Sequence, residues 1–176
     1  MEERVREFMR GRFSAEIVSE YVHRGQLSFY VHPDSIVKIL TALRDEKSLR
    51  FDYLADICSV DHLRKKAKTN ERYEVVYNIV SIPNSFRMFV RIRVSAEAQK
   101  IPTLCNEWPC ANWLEREVWD MMGIEFKGHP NLTKIVTADD LEGHPLRKDF
   151  GIKYEIQHFT HTKDDPIEVV PDNPFH

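Results

Sequence analysis

Among the many ionisable side chains between residues 112 and 150, nine stand out: Glu115, Arg116, Glu117 and Asp120, then His129 and His144, then Arg147, Lys148 and Asp149. Carboxylates near histidines are the materials of general acid–base catalysis, and carboxylates near arginines are those of ion pairs. Glu115, Glu117 and Asp120 share one helical segment with Arg116, an arrangement that serves as ion pairs far more often than as acid and base. No catalytic residue is therefore assigned. Cys105-x4-Cys110 offers half of a plant-type ferredoxin pattern, but Trp113 stands where the third cysteine belongs. His158-Phe-Thr-His161 lies in irregular chain and has no recognised zinc spacing. Hence no metal ligand and no cofactor-binding residue is assigned either.

The charged cluster needs a helix and a loop to position it. Asn112 stands where an N-cap belongs, with Glu115 three residues on as in a capping box. Gly123 is a natural residue to close the helix in the left-handed conformation. Leu114, Val118, Met121 and Met122 form the apolar stripe expected to pack on a sheet. Asp120 falls in the last turn, where the helix dipole disfavours an acid, so a cation is expected beside it. Arg116 of the same helix and an arginine of a partner chain are both candidates. Beyond the helix, Gly128-His129-Pro130 and Gly143-His144-Pro145 each push a histidine into extended backbone. Leu132, Ile135 and Val136 between them read as apolar pegs, and Leu146-Arg147-Lys148-Asp149-Phe150 as charge on extended chain. The whole stretch has the composition of a docking strip.

The rest of the chain supplies the platform. Ser14 caps a short expected helix over Ile17, Val18, Tyr21 and Val22 that ends at Gly25. Leu27, Phe29 and Val31 alternate as a strand, and Ile36, Ile39, Leu40 and Leu43 mark one buried helix face. A strand is expected from Leu49 to Val60 with Phe51, Tyr53, Ala55 and Ile57 on one side. His62 to Glu71 reads as a polar loop whose run Arg64-Lys65-Lys66-Ala67-Lys68 is solvated. Strands at 72–82 and 86–94 flank the turn Pro83-Asn84-Ser85. On the latter, Phe86, Met88, Val90, Ile92 and Val94 point to the core. Arg87, Arg91 and Arg93, with Phe89, point to water or to acids. The expected fold is α+β: a mostly antiparallel four-stranded sheet with helices packed on it, followed by an extended C-terminal segment. Residues 1–127 form the α+β domain ending in the charged helix, and 128–176 an extended docking segment and tail.

Bulk properties narrow the function. The chain has 176 residues, 42% apolar and 30% charged, with a net charge of −3. That balance argues against nucleic acid as a partner. No window is long and apolar enough to span a membrane, and the start lacks the apolar stretch of a signal peptide. Three cysteines make no disulfide framework and fit a reducing, cytoplasmic compartment.

Glu115-Arg116-Glu117-Val118-Trp119-Asp120-Met121 with Gly123-Ile124, then Gly128-His129-Pro130, then Gly143-His144-Pro145-Leu146-Arg147-Lys148-Asp149-Phe150, closely resembles the signature of the 30-kDa subunit of respiratory complex I. In bacteria this is the C-type subunit of NADH-quinone oxidoreductase. The resemblance covers roughly residues 14–150. It implies a peripheral-arm subunit, on the cytoplasmic side of the inner membrane, with no cofactor of its own. The main partner would be the 49-kDa-type subunit (the D type) beside the quinone site, with iron–sulfur subunits of the B and I types nearby. FMN and iron–sulfur clusters in partner subunits would carry electrons from NADH to quinone, coupled to proton translocation. A related complex fed by ferredoxin or F420, or an energy-converting hydrogenase, uses the same subunit type. Carried over position by position, Glu115, Arg116, Glu117, Asp120, His129, His144, Arg147, Lys148 and Asp149 would serve as scaffold and partner interface. The chain departs from the pattern at Met122, where many relatives have Phe, at Leu141, where an aromatic is common, and at Gly151, where proline is frequent.

Overall fold

The computed structural model describes residues 1–63, 71–97 and 100–151. The basic run 64–68 and the tail histidines His158 and His161 lie outside the described residues.

The chain opens with helix α1 (Glu2–Phe13), which buries Val5, Met9 and Phe13 at helical spacing. Glu2 and Glu3 in its first turn and Arg10 and Arg12 in its last complement the dipole. Ser14 ends this helix rather than starting one, so the expected helix over 14–25 is instead strand β1 (Ile17–His23). The spacing of Ile17, Val18, Tyr21 and Val22 fits a helix, but β-branched and aromatic residues pack well on a pleated surface. A partner strand decides between them. The link Arg24–Gly25 has positive φ at both residues (51° and 75°), as a two-residue hairpin turn matched to strand twist requires. It folds β1 against β2 (Gln26–Val31) in antiparallel register, Tyr21 opposite Ser28 and His23 opposite Gln26.

Pro33–Ser35 makes one 3₁₀ turn into helix α2 (Ile36–Asp45), whose buried residues Ile36, Ile39, Leu40 and Leu43 are those expected. Strand β3 (Tyr53–Asp61) follows, then β4 (Tyr73–Ser81) and β5 (Phe86–Val94). The register of β3 against β4 shifts between Leu54 and Asp56. That irregularity breaks the expected alternation: Leu54 and Ile57 are buried, while Tyr53 is 51% exposed.

The main sheet has five strands in the order β1-β2-β5-β4-β3. It is mixed rather than four-stranded, because β2 runs parallel to β5, with Leu27 opposite Met88 and Val31 opposite Ile92. The fifth strand is β1, the segment whose periodicity favoured a helix. A short parallel pair, β6 (Lys100–Pro102) with β7 (Glu125–Lys127), brackets helix α3 (Ala111–Met122), which packs along β3. Among the described residues no helix is long and apolar enough to cross a membrane.

One connected core joins Val5, Met9 and Phe13 of α1, the buried face of α2, alternate residues of β2, β4 and β5, and Val118 and Met122 of α3. On the other face of the hairpin β4–β5, Arg91 and Arg93 are paired with an acid while Arg87 is exposed. Glu74, only 2% exposed, accepts from Arg91 Nη1 at 2.7 Å, the Tyr30 hydroxyl at 3.1 Å and His62 Nε2 at 2.8 Å, and pairs with Arg93 at 3.3 Å. His62, expected in a solvated loop, is therefore buried at the sheet edge. Burial pushes the Glu74 carboxyl up, but the hydrogen bonds from Arg91 and His62 and the nearby Arg93 outweigh it and hold the group below its usual range.

Candidate functional site

Helix α3 organises the strip. Its N-cap is Cys110, without a side-chain capping bond, so Asn112 lies inside the first turn and the expected capping box does not form. Glu115 turns inward instead and is fully buried. Its Oε1 accepts from the Leu104 backbone N–H at 2.6 Å, and its Oε2 from the Thr103 hydroxyl at 2.5 Å and the Cys105 thiol at 3.5 Å. Burial raises its carboxyl above the ordinary value, against the lowering effect of those donors. The inward face of α3 is thus Ala111, Glu115, Val118 and Met122, with Leu114 and Met121 half-buried.

Asp120 is 1% exposed, and its bonding partners among the described residues include no cation. Its Oδ2 accepts from the backbone N–H groups of Ile135 (3.0 Å), Val136 (2.8 Å) and Thr137 (3.0 Å), and its Oδ1 from the Thr137 hydroxyl at 2.5 Å. Burial works to raise its carboxyl, yet the Thr137 hydroxyl and the three N–H groups overcome this and lower it to about 2. Arg116, one expected counter-ion, lies elsewhere. It donates to the Thr133 carbonyl (3.0 Å), the Thr133 hydroxyl (2.8 Å) and the Lys134 carbonyl (3.0 Å), with its guanidinium 4.9 Å over Trp113. The acid and the arginine therefore clasp adjacent parts of the same loop, one by its N–H groups and the other by its carbonyls.

The C-terminus of α3 is closed by the segment 144–147. An α-helix leaves its last four carbonyls without intrahelical partners. Here Trp119 O accepts from Gly123 N–H at 2.7 Å and Asp120 O from His144 Nδ1 at 2.8 Å. Met121 O accepts from Leu146 N–H at 3.0 Å and Met122 O from Arg147 Nε at 2.7 Å. Since a carbonyl only accepts, the His144 proton sits on Nδ1. Gly123 adopts φ 73°, and a Cβ there would stand 2.2 Å from Arg147 Nη2 and 2.4 Å from His144 Nε2. Only a residue without a side chain permits both the left-handed cap and the close approach of the strip.

His129 ties the strip to the first turn of α3. Its Nε2 donates to Asn112 O at 3.1 Å while its Nδ1 accepts from Asn131 N–H at 3.1 Å. Both Gly-His-Pro glycines have positive φ, 88° at Gly128 and 89° at Gly143. The strip ends against the sheet. Arg72 bridges Asp61 (2.7 Å) and Asp149 (2.7 Å), and Asp61 Oδ2 also accepts from Lys148 N–H at 2.9 Å. The side chain of Asp61 is inaccessible. Burial pushes its carboxyl up, but Arg72 and the N–H groups of Lys148 and Leu63 lower it to about 2. The Arg147 and Arg72 guanidinium groups lie 5.5 and 4.8 Å over the Tyr73 ring.

Of the nine residues singled out in the sequence, Glu115 and Asp120 are thus buried, and Arg116, His129, His144 and Arg147 are half-buried in contacts within this chain. Glu117, Lys148 and Asp149 are exposed, the last paired with Arg72. Spacing missed Asp61, Arg72, Tyr73, Thr103 and Thr137, because their partners lie 11 to 87 residues away. Beside the exposed charges, four large apolar side chains also face out around α3: Trp113 (60% exposed), Ile135 (38%), Val136 (60%) and Leu146 (51%). The expected pegs Ile135 and Val136 are thus not pegged into this chain.

Residues 29–155 match the family model described as respiratory-chain NADH dehydrogenase, 30 Kd subunit. The C-type subunit of NADH-quinone oxidoreductase from Roseiflexus sp. (strain RS-1) is 41% identical over 160 residues, covering 91% of this chain and 90% of that one. The protein of the same name in Geotalea uraniireducens (strain Rf4) is 41% identical over 145 residues, 82% and 85% of the two chains. Among solved structures, the trypsin-resistant fragment (1–134) of Nqo5 superposes with a TM-score of 0.64 at 34% identity, over 74% of this chain and 98% of that one. A chain of the membrane-bound sulfane sulfur reductase, an archaeal respiratory membrane complex, superposes with a TM-score of 0.72 at 25% identity, over 94% and 98%.

Proposed function

The chain belongs to the respiratory-chain NADH dehydrogenase 30 Kd subunit family, and from that premise we propose that it is a scaffold subunit, without catalytic residues, in the peripheral arm of a proton-translocating NADH-quinone oxidoreductase. It packs on the 49-kDa-type subunit near the quinone site, beside iron–sulfur subunits of the B and I types. Those partners hold the FMN and clusters that pass electrons from NADH to quinone. The assembly stands on the cytoplasmic side of the inner membrane, and this chain touches the membrane only through it.

The observation that carries this reading is how the signature is divided. Arg116, Asp120, His129, His144 and Arg147 clamp residues 129–147 onto α3, while Trp113, Ile135, Val136 and Leu146 are left outward. Arg116 joins them physically, since it stacks on Trp113 and holds the carbonyls just before Ile135. An apolar patch on a rigidly clamped loop suits burial against another protein. A site for chemistry would instead present its acids and histidines to a cleft.

A second reading is the equivalent subunit of a related complex, a ferredoxin- or F420-linked quinone reductase or an energy-converting hydrogenase. The likeness to the sulfane sulfur reductase chain favours it, and the higher identity to the Roseiflexus and Geotalea proteins favours the first. Affinity purification of the tagged chain from its own cells separates them. A complex that contains flavin and oxidises NADH supports the first reading, and one that oxidises only ferredoxin or F420 supports the second. Recovery of the chain alone, with its folded state intact, overturns both. In the same cells, Arg147→Ala and Asp149→Ala should lower the yield of assembled complex; normal assembly in both would remove the clamped strip from the interface.

A further inference from the structure

The base of α3 brings together three side chains that the assembly role does not use as a set. Cys105 lies in the loop before the helix, Glu115 on its inward face, and His129 in the first Gly-His-Pro turn after it. One potential ligand atom from each lies within 4.8 Å of the other two. Spacing alone does not suggest the set, since intervals of ten and fourteen residues match no compact metal motif.

A second observation points the same way. Glu115 is fully buried, yet among the described residues it forms no ion pair; its partners are a hydroxyl, a backbone N–H and a thiol, all neutral. A carboxylate buried without a counter-charge is costly, so the site favours whatever cation can reach it. The Cys105 thiol already directs its proton at Glu115 Oε2 over 3.5 Å, which marks where that cation would sit. Cys105 and His129 are only half-buried, so the cluster has a way in from solvent.

We infer that Cys105, Glu115 and His129 form a binding site for a zinc ion. Sulfur, carboxylate oxygen and imidazole nitrogen together are a zinc set, whereas calcium and magnesium call for oxygen alone. Zinc–ligand bonds of about 2.0 to 2.3 Å place tetrahedral ligand atoms roughly 3.5 Å apart, so the trio closes by about an ångström on loading. His129 supplies the flexible part: to turn toward the metal its ring gives up the 3.1 Å hydrogen bond to the Asn112 carbonyl, and strains or gives up the 3.1 Å bond it accepts from Asn131 N–H. The thiol loses its proton to solvent and the carboxylate faces the ion. The Thr103 hydroxyl, 2.5 Å from Glu115 Oε2, or a water fills the fourth position. The ion would tie the loop before α3 to the first Gly-His-Pro turn, a structural role independent of which complex the chain serves.

The test is zinc titration of the full chain after chelator treatment, read by calorimetry and by metal retained through gel filtration, with cobalt as a spectroscopic probe. The expected result is about one ion per chain and a thiolate-to-cobalt charge-transfer band. Cys105→Ser, which keeps a donor toward Glu115 and so the fold, should remove the band. It should also weaken zinc binding by more than the roughly tenfold to hundredfold that loss of an outer-shell partner costs. His129→Gln should weaken binding likewise. His158→Gln/His161→Gln should leave it unchanged. No retained zinc, or binding that survives Cys105→Ser but is lost in the tail variant, overturns the assignment.

Discussion

Asp120 sits where a helix dipole opposes an acid, and the surprise is what offsets the cost. Three successive backbone N–H groups and one hydroxyl converge on its two oxygens, a concave nest of donors in place of a counter-ion. Asp120→Asn keeps the shape but loses the charge and one acceptor, and should destabilise the chain by about 1–3 kcal/mol, read by denaturant unfolding. Amide exchange should quicken at residues 135–137 before it does in β4. Because folding holds the Asp120 carboxyl at about 2 against an ordinary 3.8, its contribution is fully present above about pH 4 and fades as pH falls through 2. That contribution is on the order of 2 kcal/mol. Asp61, held at about 2 by Arg72 and two N–H groups, follows the same rule. Acid titration of stability should therefore show a steep loss between pH 4 and 2, shallower in the Asp120→Asn protein.

At the scale of elements, α3 and the strip behave as one unit, because the strip supplies the donors that the helix end lacks. Gly123 is the joint. Gly123→Ala imposes left-handed strain of about 1–2 kcal/mol and drives a methyl into Arg147 and His144. The expected result is a stable sheet with residues 143–150 released, detected as protease cleavage or fast amide exchange there while α2 and β4 keep native protection. Retained protection throughout would show that the segment can shift without detaching. The hairpin β1–β2 illustrates a different dependence. Its apolar residues are compatible with either periodicity, and the Arg24–Gly25 turn together with the pairing to β2 makes it a strand.

For the whole molecule, the main question is which surface meets a partner. Trp113 and Val136, each 60% exposed, contribute little to this chain's own core. Trp113→Glu and Val136→Asp should leave its unfolding midpoint within the small range typical of surface changes, about 0.5 kcal/mol. The same variants should sharply lower co-purification of the other subunits. Unchanged recovery would exclude the α3 patch as the docking face. Asp149→Ala is the milder probe, since a half-exposed pair contributes about 0–1 kcal/mol.

Much was legible in the residues alone. Strong periodicity located α2, β2, β4 and β5, and it correctly split the two faces of β5, because burial along regular elements depends only on local spacing. Gly123 was legible as a cap for the same reason. The signature residues were legible as a group, but most of their bonds were not. Asp120 awaited N–H groups fifteen to seventeen residues on, Glu115 a hydroxyl twelve residues back, and Arg72 an acid 77 residues away. Sequence by itself determined which segments are regular, which faces are apolar and which family the chain joins. The tertiary structure alone decided that 17–23 is a strand, that the sheet is mixed, and that the charged strip folds back on its own helix. The reason is physical: buried polar groups must find partners wherever the chain places them, and that pairing is set in space, not in spacing.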